Sequence, residues 1–293
     1  MKTLKEKTAP TRRTQEVSIA IPGSFVSDTP HLREKTFRIG LVGRAAAIFQ
    51  IDEIIVYADM PNTNQSRHTN LLALILSYME TPQYLRKKLY KIRPELRYAG
   101  VLPPLRTPHH PLINRLKRLN VGEYREGVVV SSSTRGALVD IGVEQPAFIP
   151  GKRLQPNTRI TVRITQLQKQ FLATLASREE IGTYWGYKVT ISKAPFGQLI
   201  KKRNFNLVIA TSRKGKPIEE AMHKLREKWR VSKKVLVAFG APTKGLYEIL
   251  PHEHLKLEDI ANFIVNTIPN QATETVRTEE ALYATLAILN VFH

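Results

Sequence analysis

Apolar residues in the first hundred positions fall into short runs and longer, half-polar segments. The short runs, rich in valine and isoleucine and ended by proline or aspartate, predict strands at Glu16–Ile21 and Glu53–Tyr57. The longer segments predict helices at Leu32–Gln50, Asn64–Met79 and Gln83–Lys91. This strand–helix–strand–helix order predicts an α/β fold with a parallel sheet and right-handed crossovers.

The same alternation returns in the last third of the chain. Strands are predicted at Tyr184–Ile191, Asn206–Thr211, Lys234–Phe239 and Phe263–Val265, and helices at Pro195–Arg203, Ile218–Arg230 and from Thr278 onward. Thr278 is expected to cap the last helix, and Glu279 and Glu280 suit the positive end of its dipole. Because residues 281–292 are nearly all apolar, we expect this helix to be buried on most sides.

The middle of the chain has a different pattern. Short strand-like segments are separated by turn residues, with no helix between them: Gly122–Ser131, Gly136–Gly142, Ala147–Gly151, Arg159–Thr165 and Phe171–Leu175. This pattern predicts a small antiparallel β-barrel inserted into the α/β domain. The expected organisation is a basic arm at 1–14, an α/β domain made of 15–98 and 181–293, and a barrel at 99–180.

The charge of the chain points to a nucleic-acid partner. There are 45 Lys and Arg against 25 Asp and Glu, a formal net charge of +20, and such an excess favours binding to phosphates. Basic residues crowd the predicted barrel beside Tyr124 and Phe148, as in barrels that track single strands. The predicted nucleic-acid-binding residues there are Arg125, Arg135, Lys152, Arg153 and Arg163. A barrel with only a packing role is the alternative.

Several classes of protein do not fit the sequence. The chain has no cysteine, so disulfide frameworks and thiol chemistry are excluded. No apolar run reaches the roughly 20 residues that span a bilayer, and we expect a cytoplasmic protein. No phosphate-binding loop or dinucleotide fingerprint occurs. His252-Glu-His254 lacks the spacing of a zinc site, and no metal is expected.

Three polar loops follow three apolar strands in the second half of the chain. They are residues 211–215, 240–245 and 266–271, and each begins where a predicted strand ends. Because ligands of α/β proteins bind at the carboxyl ends of strands, these loops can face one crevice. Gly240 and Gly245 would let the backbone pass close to a ligand and read an adenine edge, although both residues could simply make turns.

Two end motifs carry a resemblance to a known class of enzymes. The segment 266–271 with 275–281, together with Ile19–Phe25, resembles the SPOUT class of RNA methyltransferases, in its archaeal and eukaryotic subfamily of RNA uridine N3-methyltransferases. The resemblance covers most of the chain, and the barrel is similar to the OB-fold barrels of ribosomal proteins. It implies a C-terminal trefoil knot, S-adenosylmethionine as cofactor, a homodimer, and N3-methyluridine in large-subunit ribosomal RNA as product.

The resemblance also implies a cofactor site in the three loops. The residues expected to line it or lie near it are Thr211, Arg213, Gly240, Pro242, Gly245, Asn266, Thr267, Ile268, Pro269, Ala272 and Thr275. Methyl transfer depends mainly on the alignment of nucleophile and methyl group. Ser24 and Phe25, in the loop after the first strand, are expected to contact a base taken out of the stack.

A uridine N3 nucleophile must lose its proton, which favours a cation near the developing charge. Arg277 is the first candidate for that role, and Arg44 and Arg213 are weaker ones. Glu274 or Glu279 could instead act as the base, and for each of these residues a salt bridge is an equally good explanation. The sequence is also compatible with two other functions. One is an RNA-binding ribosome-assembly factor without transfer activity, and the other is a nuclease, although no acidic metal cluster is evident.

Overall fold

The computed structural model describes residues 11–60 and 63–292, and these fall into two compact units. The strands are β1 Glu16–Pro22, β2 Glu53–Tyr57, β3 Tyr124–Ser132, β4 Gly136–Asp140, β5 Ala147–Pro150, β6 Arg159–Gln166, β7 Leu172–Leu175, β8 Lys188–Ile191, β9 Leu207–Pro217, β10 Lys234–Ala238 and β11 Phe263–Asn266. The α-helices are α1 Leu32–Ile48, α2 Ser66–Glu80, α3 Gln83–Leu89, α4 Phe196–Arg203, α5 Ile218–Val231, α6 Leu246–Ile249, α7 Leu257–Ile260 and α8 Thr278–Leu289. Short 3-10 turns occur at Pro94–Leu96, Ala99–Val101, Leu116–Arg118, Arg178–Glu180, Leu250–Glu253 and Asn290–Phe292.

The α/β unit comprises residues 13–80, 94–104 and 186–292 within the described ranges. Its six strands pair in parallel in the order β11-β9-β10-β1-β2-β8, as the alternation of strands and helices predicted. Every residue of β2 is buried, and so is every residue of β1 after Glu16. Continuous apolar runs of this kind are typical of strands covered on both faces of a parallel sheet.

β9 is longer than the sequence predicted, because it continues beyond Thr211 to Pro217. Its pairing with β11 is interrupted, however. Ile264 faces Ala210, whereas the next residue of β11, Val265, faces Lys216. Residues 211–215 therefore leave the ladder with β11, so the loop predicted at these positions exists as an excursion between two paired parts of one strand.

The last helix differs from the prediction in two respects. α8 begins at Thr278, and the residue before the helix is Arg277, whose N–H donates to the Glu280 carboxylate at 2.8 Å. The Thr278 hydroxyl does not cap the helix, because it donates to the carbonyl of Gly240 at 3.3 Å. One face of the helix is also open to solvent, since Glu280 and Ala287 are exposed, and Val291 in the turn after the helix is 62% exposed.

A buried arginine joins α1 to the start of α8. The Arg38 Nε donates to Glu279 Oε1 at 2.7 Å, and its NH1 donates to Asp28 Oδ1 at 2.7 Å. The Arg38 guanidinium also lies over the ring of Phe25, 5.4 Å from its centroid. Burial alone would lower the pKa of Arg38, but its hydrogen bonds to Glu279 and Asp28 raise the pKa above the ordinary value.

The second unit comprises residues 11–12, 81–93 and 105–185 of the described chain. Its strands close into a barrel in the order β3-β4-β5-β7-β6, in agreement with the prediction of an inserted barrel. All strand pairs are antiparallel except the single β5–β7 contact. Alternate residues such as Val129, Val139 and Ile164 fill the interior, which is how a small barrel forms its core.

Both borders of the barrel unit differ from the predicted borders. Helix α3 lies with the barrel and not with the α/β unit, since the Tyr84 hydroxyl donates to the Glu126 carbonyl at 2.9 Å. The segment predicted as a strand from Tyr184 becomes one only at Lys188. Trp185 before it belongs to the barrel unit, where its indole N–H donates to Glu126 Oε1 at 2.7 Å.

The predicted N-terminal arm lies largely outside the described residues, which begin at Thr11. Thr11 forms an isolated bridge with Thr183, and the Arg12 N–H donates to the Gly182 carbonyl at 3.0 Å. Within the described ranges, no helix has the length and apolar character that crossing a membrane would require.

The Arg38 cluster leads to a prediction about stability. Arg38→Leu leaves Glu279, whose side chain is 4% exposed, without its cation, and we expect a loss of about 3–5 kcal/mol in the free energy of unfolding. Asp28→Asn is the matched control, because the Asp28 side chain is 43% exposed and its loss should cost about 1 kcal/mol or less. Urea unfolding measures both values, and a loss below about 1 kcal/mol for Arg38→Leu would contradict the role given to this arginine.

Candidate functional site

A cavity of about 290 Å³ lies beside the excursion of β9 and the carboxyl ends of β10 and β11. Such a position, at the carboxyl ends of adjacent parallel strands, is the usual ligand site of α/β sheets. Its lining comes from the three loops predicted from the sequence and from the starts of two helices: Thr211, Ser212, Arg213, Lys214, Phe239, Gly240, Ala241, Pro242, Thr243, Lys244, Gly245, Tyr247, Glu248, Val265, Asn266, Thr267, Ile268, Gln271, Glu274, Thr275, Val276, Thr278 and Ala281.

The first and third loops are held together by hydrogen bonds. The Asn266 side chain donates from Nδ2 to the Arg213 carbonyl at 3.2 Å and accepts the Ile268 N–H at Oδ1 at 3.0 Å. The Arg213 guanidinium in turn donates to the carbonyl of Glu274 at 2.7 Å. Asn266 and Arg213 therefore define the relative position of two walls of the cavity.

The second loop is a tight turn, and hydrogen bonds join it and the end of β10 to α8 and β9. The Ala241 N–H donates to the Lys244 carbonyl at 2.8 Å. A Cβ added at Gly240 would lie 3.0 Å from the Cα of Gly245, so a side chain there would press on the backbone across the turn. The Thr211 hydroxyl donates to the Ala238 carbonyl at 2.9 Å, and Thr278 holds the Gly240 carbonyl from the side of α8.

The lining changes character between the floor and the mouth of the cavity. The floor includes Phe239 and Val265, which are buried and apolar. The mouth includes Lys214 and Glu248, whose charged groups lie 3.6 Å apart and are largely exposed. Tyr247 is a further lining residue, and burial, followed by its hydrogen bond to Glu258, raises the pKa of this phenol above its usual value.

Most of the residues predicted to hold a cofactor meet at this cavity. Those in its lining are Thr211, Arg213, Gly240, Pro242, Gly245, Asn266, Thr267, Ile268 and Thr275. Pro269 lies in the third loop and Ala272 just after it, and both are outside the lining. Lys214, Tyr247 and Glu248 were not among the predicted residues, although each lies within a predicted loop or shortly after one, which was the available signal.

The residues proposed for proton transfer are spread more widely. Glu274 lies in the lining, and Arg277 is an exposed residue between the lining residues Val276 and Thr278. Arg44 lies outside the lining, and its guanidinium donates to the Pro104 carbonyl at 2.8 Å. Glu279 is buried and held by Arg38, so its carboxylate is already engaged and is not placed to take a proton from a substrate.

Two predicted RNA-contacting residues in the α/β unit are buried. Ser24 donates from its backbone N–H and its hydroxyl to the two oxygens of Asp59, at 3.0 and 2.5 Å, and is 4% exposed. Phe25 is fully buried beneath Arg38. The segment after β1 thus has a structural role in this conformation, because both side chains face the protein and not the solvent.

The basic residues of the barrel fall into two groups. Arg125 is fully buried, and its NH2 donates to the Ile113 carbonyl at 2.7 Å, so it does not reach the surface. The others are exposed: Arg135, Lys152, Arg153 and Arg163. Arg163 also lies over the ring of Tyr124, 5.9 Å from its centroid.

No group of three or more His, Asp or Glu residues that could hold a metal occurs within residues 11–60 and 63–292.

Comparison with known proteins bears on what this cavity serves. A family model described as "Putative RNA methyltransferase" matches residues 16–289. The chain is 33% identical over 308 residues to a mouse 28S rRNA (uridine-N(3))-methyltransferase, with 94% of this chain and 76% of the relative covered. It is 32% identical over 308 residues to the human protein of the same name, covering 94% and 78%.

An archaeal protein matches over nearly its whole length. The chain is 33% identical over 291 residues to an uncharacterised protein of Halobacterium salinarum, covering 94% of this chain and 98% of the relative. The family match includes the whole sheet, the barrel and the three loops that line the cavity. The chain therefore belongs to this family of RNA methyltransferases.

Proposed function

We propose that this protein transfers a methyl group from S-adenosylmethionine to N3 of a uridine in large-subunit ribosomal RNA. The observation that carries the proposal is the meeting of three strand-end loops at one cavity, in a chain of the RNA methyltransferase family. The choice of uridine N3 and of ribosomal RNA rests on the names of the mouse and human relatives.

The residues of the cavity fit the proposed cofactor. S-adenosylmethionine has an adenosine part, an α-amino-acid part and a sulfonium that supplies an already activated methyl group. The cavity offers a buried apolar floor at Phe239 and Val265, backbone groups of the turn 240–245, and charged side chains at its mouth. Such a combination of apolar walls with a few placed polar groups is typical of cofactor sites.

The chain's own part in the reaction is to orient the uridine and to stabilise its N3 anion. We propose Arg277 for the second task, because it is an exposed cation next to the lining residues Val276 and Thr278. A positioned cation stabilises charge that develops during a reaction. Glu274, which lies in the lining, is proposed as the group that receives the proton. Arg44 is the less favoured cation, because it lies outside the lining and its guanidinium contacts the Pro104 carbonyl.

We assign the α/β unit to the SPOUT class, with its C-terminal segment forming a trefoil knot. Support comes from the excursion of residues 211–215 out of the β9–β11 ladder. The Arg213 hydrogen bond to the Glu274 carbonyl joins the excursion to that later segment. An experimental electron-density map that traces residues 266–278 beside the excursion, without passing through it, would contradict the knot.

A homodimer is the proposed assembly, and the open face of α1 and α8 supports it. Phe37 and Ile48 lie on one stripe of α1 and are each 49% exposed. In the 3-10 turn that follows the neighbouring helix α8, Val291 is 62% exposed. Apolar surface of this kind commonly marks an interface. A monomer in sedimentation velocity at micromolar concentration would contradict this assembly.

RNA binding is proposed for the barrel unit, which holds a large share of the basic charge. Residues 81–93 and 105–185 contain 17 Lys and Arg against 6 Asp and Glu, a net charge of +11. The exposed members Arg135, Lys152 and Arg153 are proposed to contact phosphates, and Arg163 with Tyr124 to contact bases. Arg125 is not included, because it is buried.

An assay of methyl transfer tests the proposed function. We expect the purified protein with S-adenosylmethionine to form N3-methyluridine in ribosomal RNA taken from cells that lack this protein. Nucleoside mass spectrometry measures the product. Arg277→Ala should lower the rate about a hundredfold, because the N3 anion loses its cation, while calorimetry should show unchanged cofactor binding. Arg230→Ala, which removes another exposed arginine, is the matched control and should keep the full rate.

Two results would contradict these assignments in different ways. Cofactor binding without any methylated nucleoside would favour the RNA-binding assembly factor over the enzyme. Equal rates of methyl transfer for Arg277→Ala and Arg230→Ala would show that Arg277 does not stabilise the N3 anion, and the proposed enzyme activity would still stand.

The salt dependence of RNA binding tests the role of the barrel. The triple variant Arg135→Ala, Lys152→Ala and Arg153→Ala should bind RNA more weakly. The plot of the logarithm of the association constant against the logarithm of the salt concentration should become less steep by about 2, since each lost phosphate contact removes about 0.7–0.9 from the slope. The control removes Lys224, Arg226 and Lys228 from the exposed face of α5. Equal changes in both variants would show a general effect of charge and would contradict a barrel-specific contact.

A further inference from the structure

An ion pair spans the mouth of the cavity. Lys214 belongs to the excursion from β9, and Glu248 belongs to α6, just after the second loop. The Lys214 Nζ lies 3.6 Å from Glu248 Oε1, and both residues are part of the lining. Their side chains are 66% and 51% exposed, so the pair faces both the cavity and the solvent.

The two charges are held to different degrees. Oε2 of Glu248 accepts the N–H of Gly245 at 2.6 Å, which fixes the direction of the carboxylate at the end of the second loop. Lys214 carries its charge on a long, exposed side chain. An ion pair this exposed contributes little to stability, so a ligand with complementary charges can separate it at small cost.

The methyl donor has such a pair of charges at one end. Its α-amino-acid part carries a carboxylate and an ammonium on the same carbon atom, and these charges are complementary to Lys214 and Glu248. We propose that Lys214 and Glu248 bind this end of the cofactor, and this proposal rests on the proposed function. Lys214 binds the carboxylate and Glu248 binds the ammonium.

The rest of the cavity supports this orientation. Phe239 and Val265 make its floor apolar, which suits the adenosine part and not a zwitterion. Arg213 also lies in the lining, but its guanidinium donates to the Glu274 carbonyl. Lys244 is a further cation of the lining. Lys214 lies beside the carboxylate of Glu248, and a zwitterion needs both a cation and a carboxylate as partners.

Two ligands isolate the contribution of the amino-acid end. S-adenosylhomocysteine and 5′-methylthioadenosine are both neutral at sulfur and share the adenosine part, but only the first has the α-amino-acid group. Lys214→Ala and Glu248→Gln should each weaken S-adenosylhomocysteine binding about tenfold in calorimetry, because one charge-assisted contact is lost. Both variants should bind 5′-methylthioadenosine within about twofold of the unaltered protein. Glutamine retains an oxygen that can accept the Gly245 N–H, so the turn is kept.

Lys244→Ala is the matched control, since it removes a lysine from the same lining and leaves the Lys214–Glu248 pair intact. We expect it to leave the ratio of the two affinities unchanged. Equal losses for both ligands in the Lys214 and Glu248 variants, or no loss for S-adenosylhomocysteine, would overturn this subsite and leave the proposed function standing. An unaltered protein that binds neither ligand would overturn both.

Discussion

The parallel pairing of β9 with β10 on one side and β11 on the other is the constraint on which the cavity depends. Val208 faces Leu236, and Ile209 faces Phe263, so the three strands reach the same edge of the sheet. Because the three strands run parallel, the excursion of β9 and the loops that follow β10 and β11 lie side by side. The interruption after Ile264 then frees residues 211–215 from the ladder and makes room between the strand ends.

The start of α8 completes the site and joins it to the rest of the sheet. Thr278 is bonded to the second loop through the Gly240 carbonyl, and its neighbour Glu279 is held by Arg38 of α1. A buried charge that is fully paired is costly to disturb, so the helix is fixed where the third loop ends. Arg277, the exposed cation at this junction, is thereby placed next to the cavity.

The sequence predicted the sheet well, because continuous apolar runs ended by turn residues mark buried parallel strands directly. It also predicted that the three loops meet, since strand ends share one edge. It could not predict the pairing of Arg38 with Glu279, which are 241 positions apart and carry no local signal. The burial of Phe25 and Arg125 was missed for the same reason, since only tertiary contacts cover them.

Hydrogen exchange with and without S-adenosylhomocysteine shows whether the three loops form a single cofactor cavity. We expect slower exchange at amides of residues 211–215, 240–245 and 266–275 together, with no change at the barrel strands β3 to β7. Protection of only one of the three segments, or protection centred on the barrel, would contradict it.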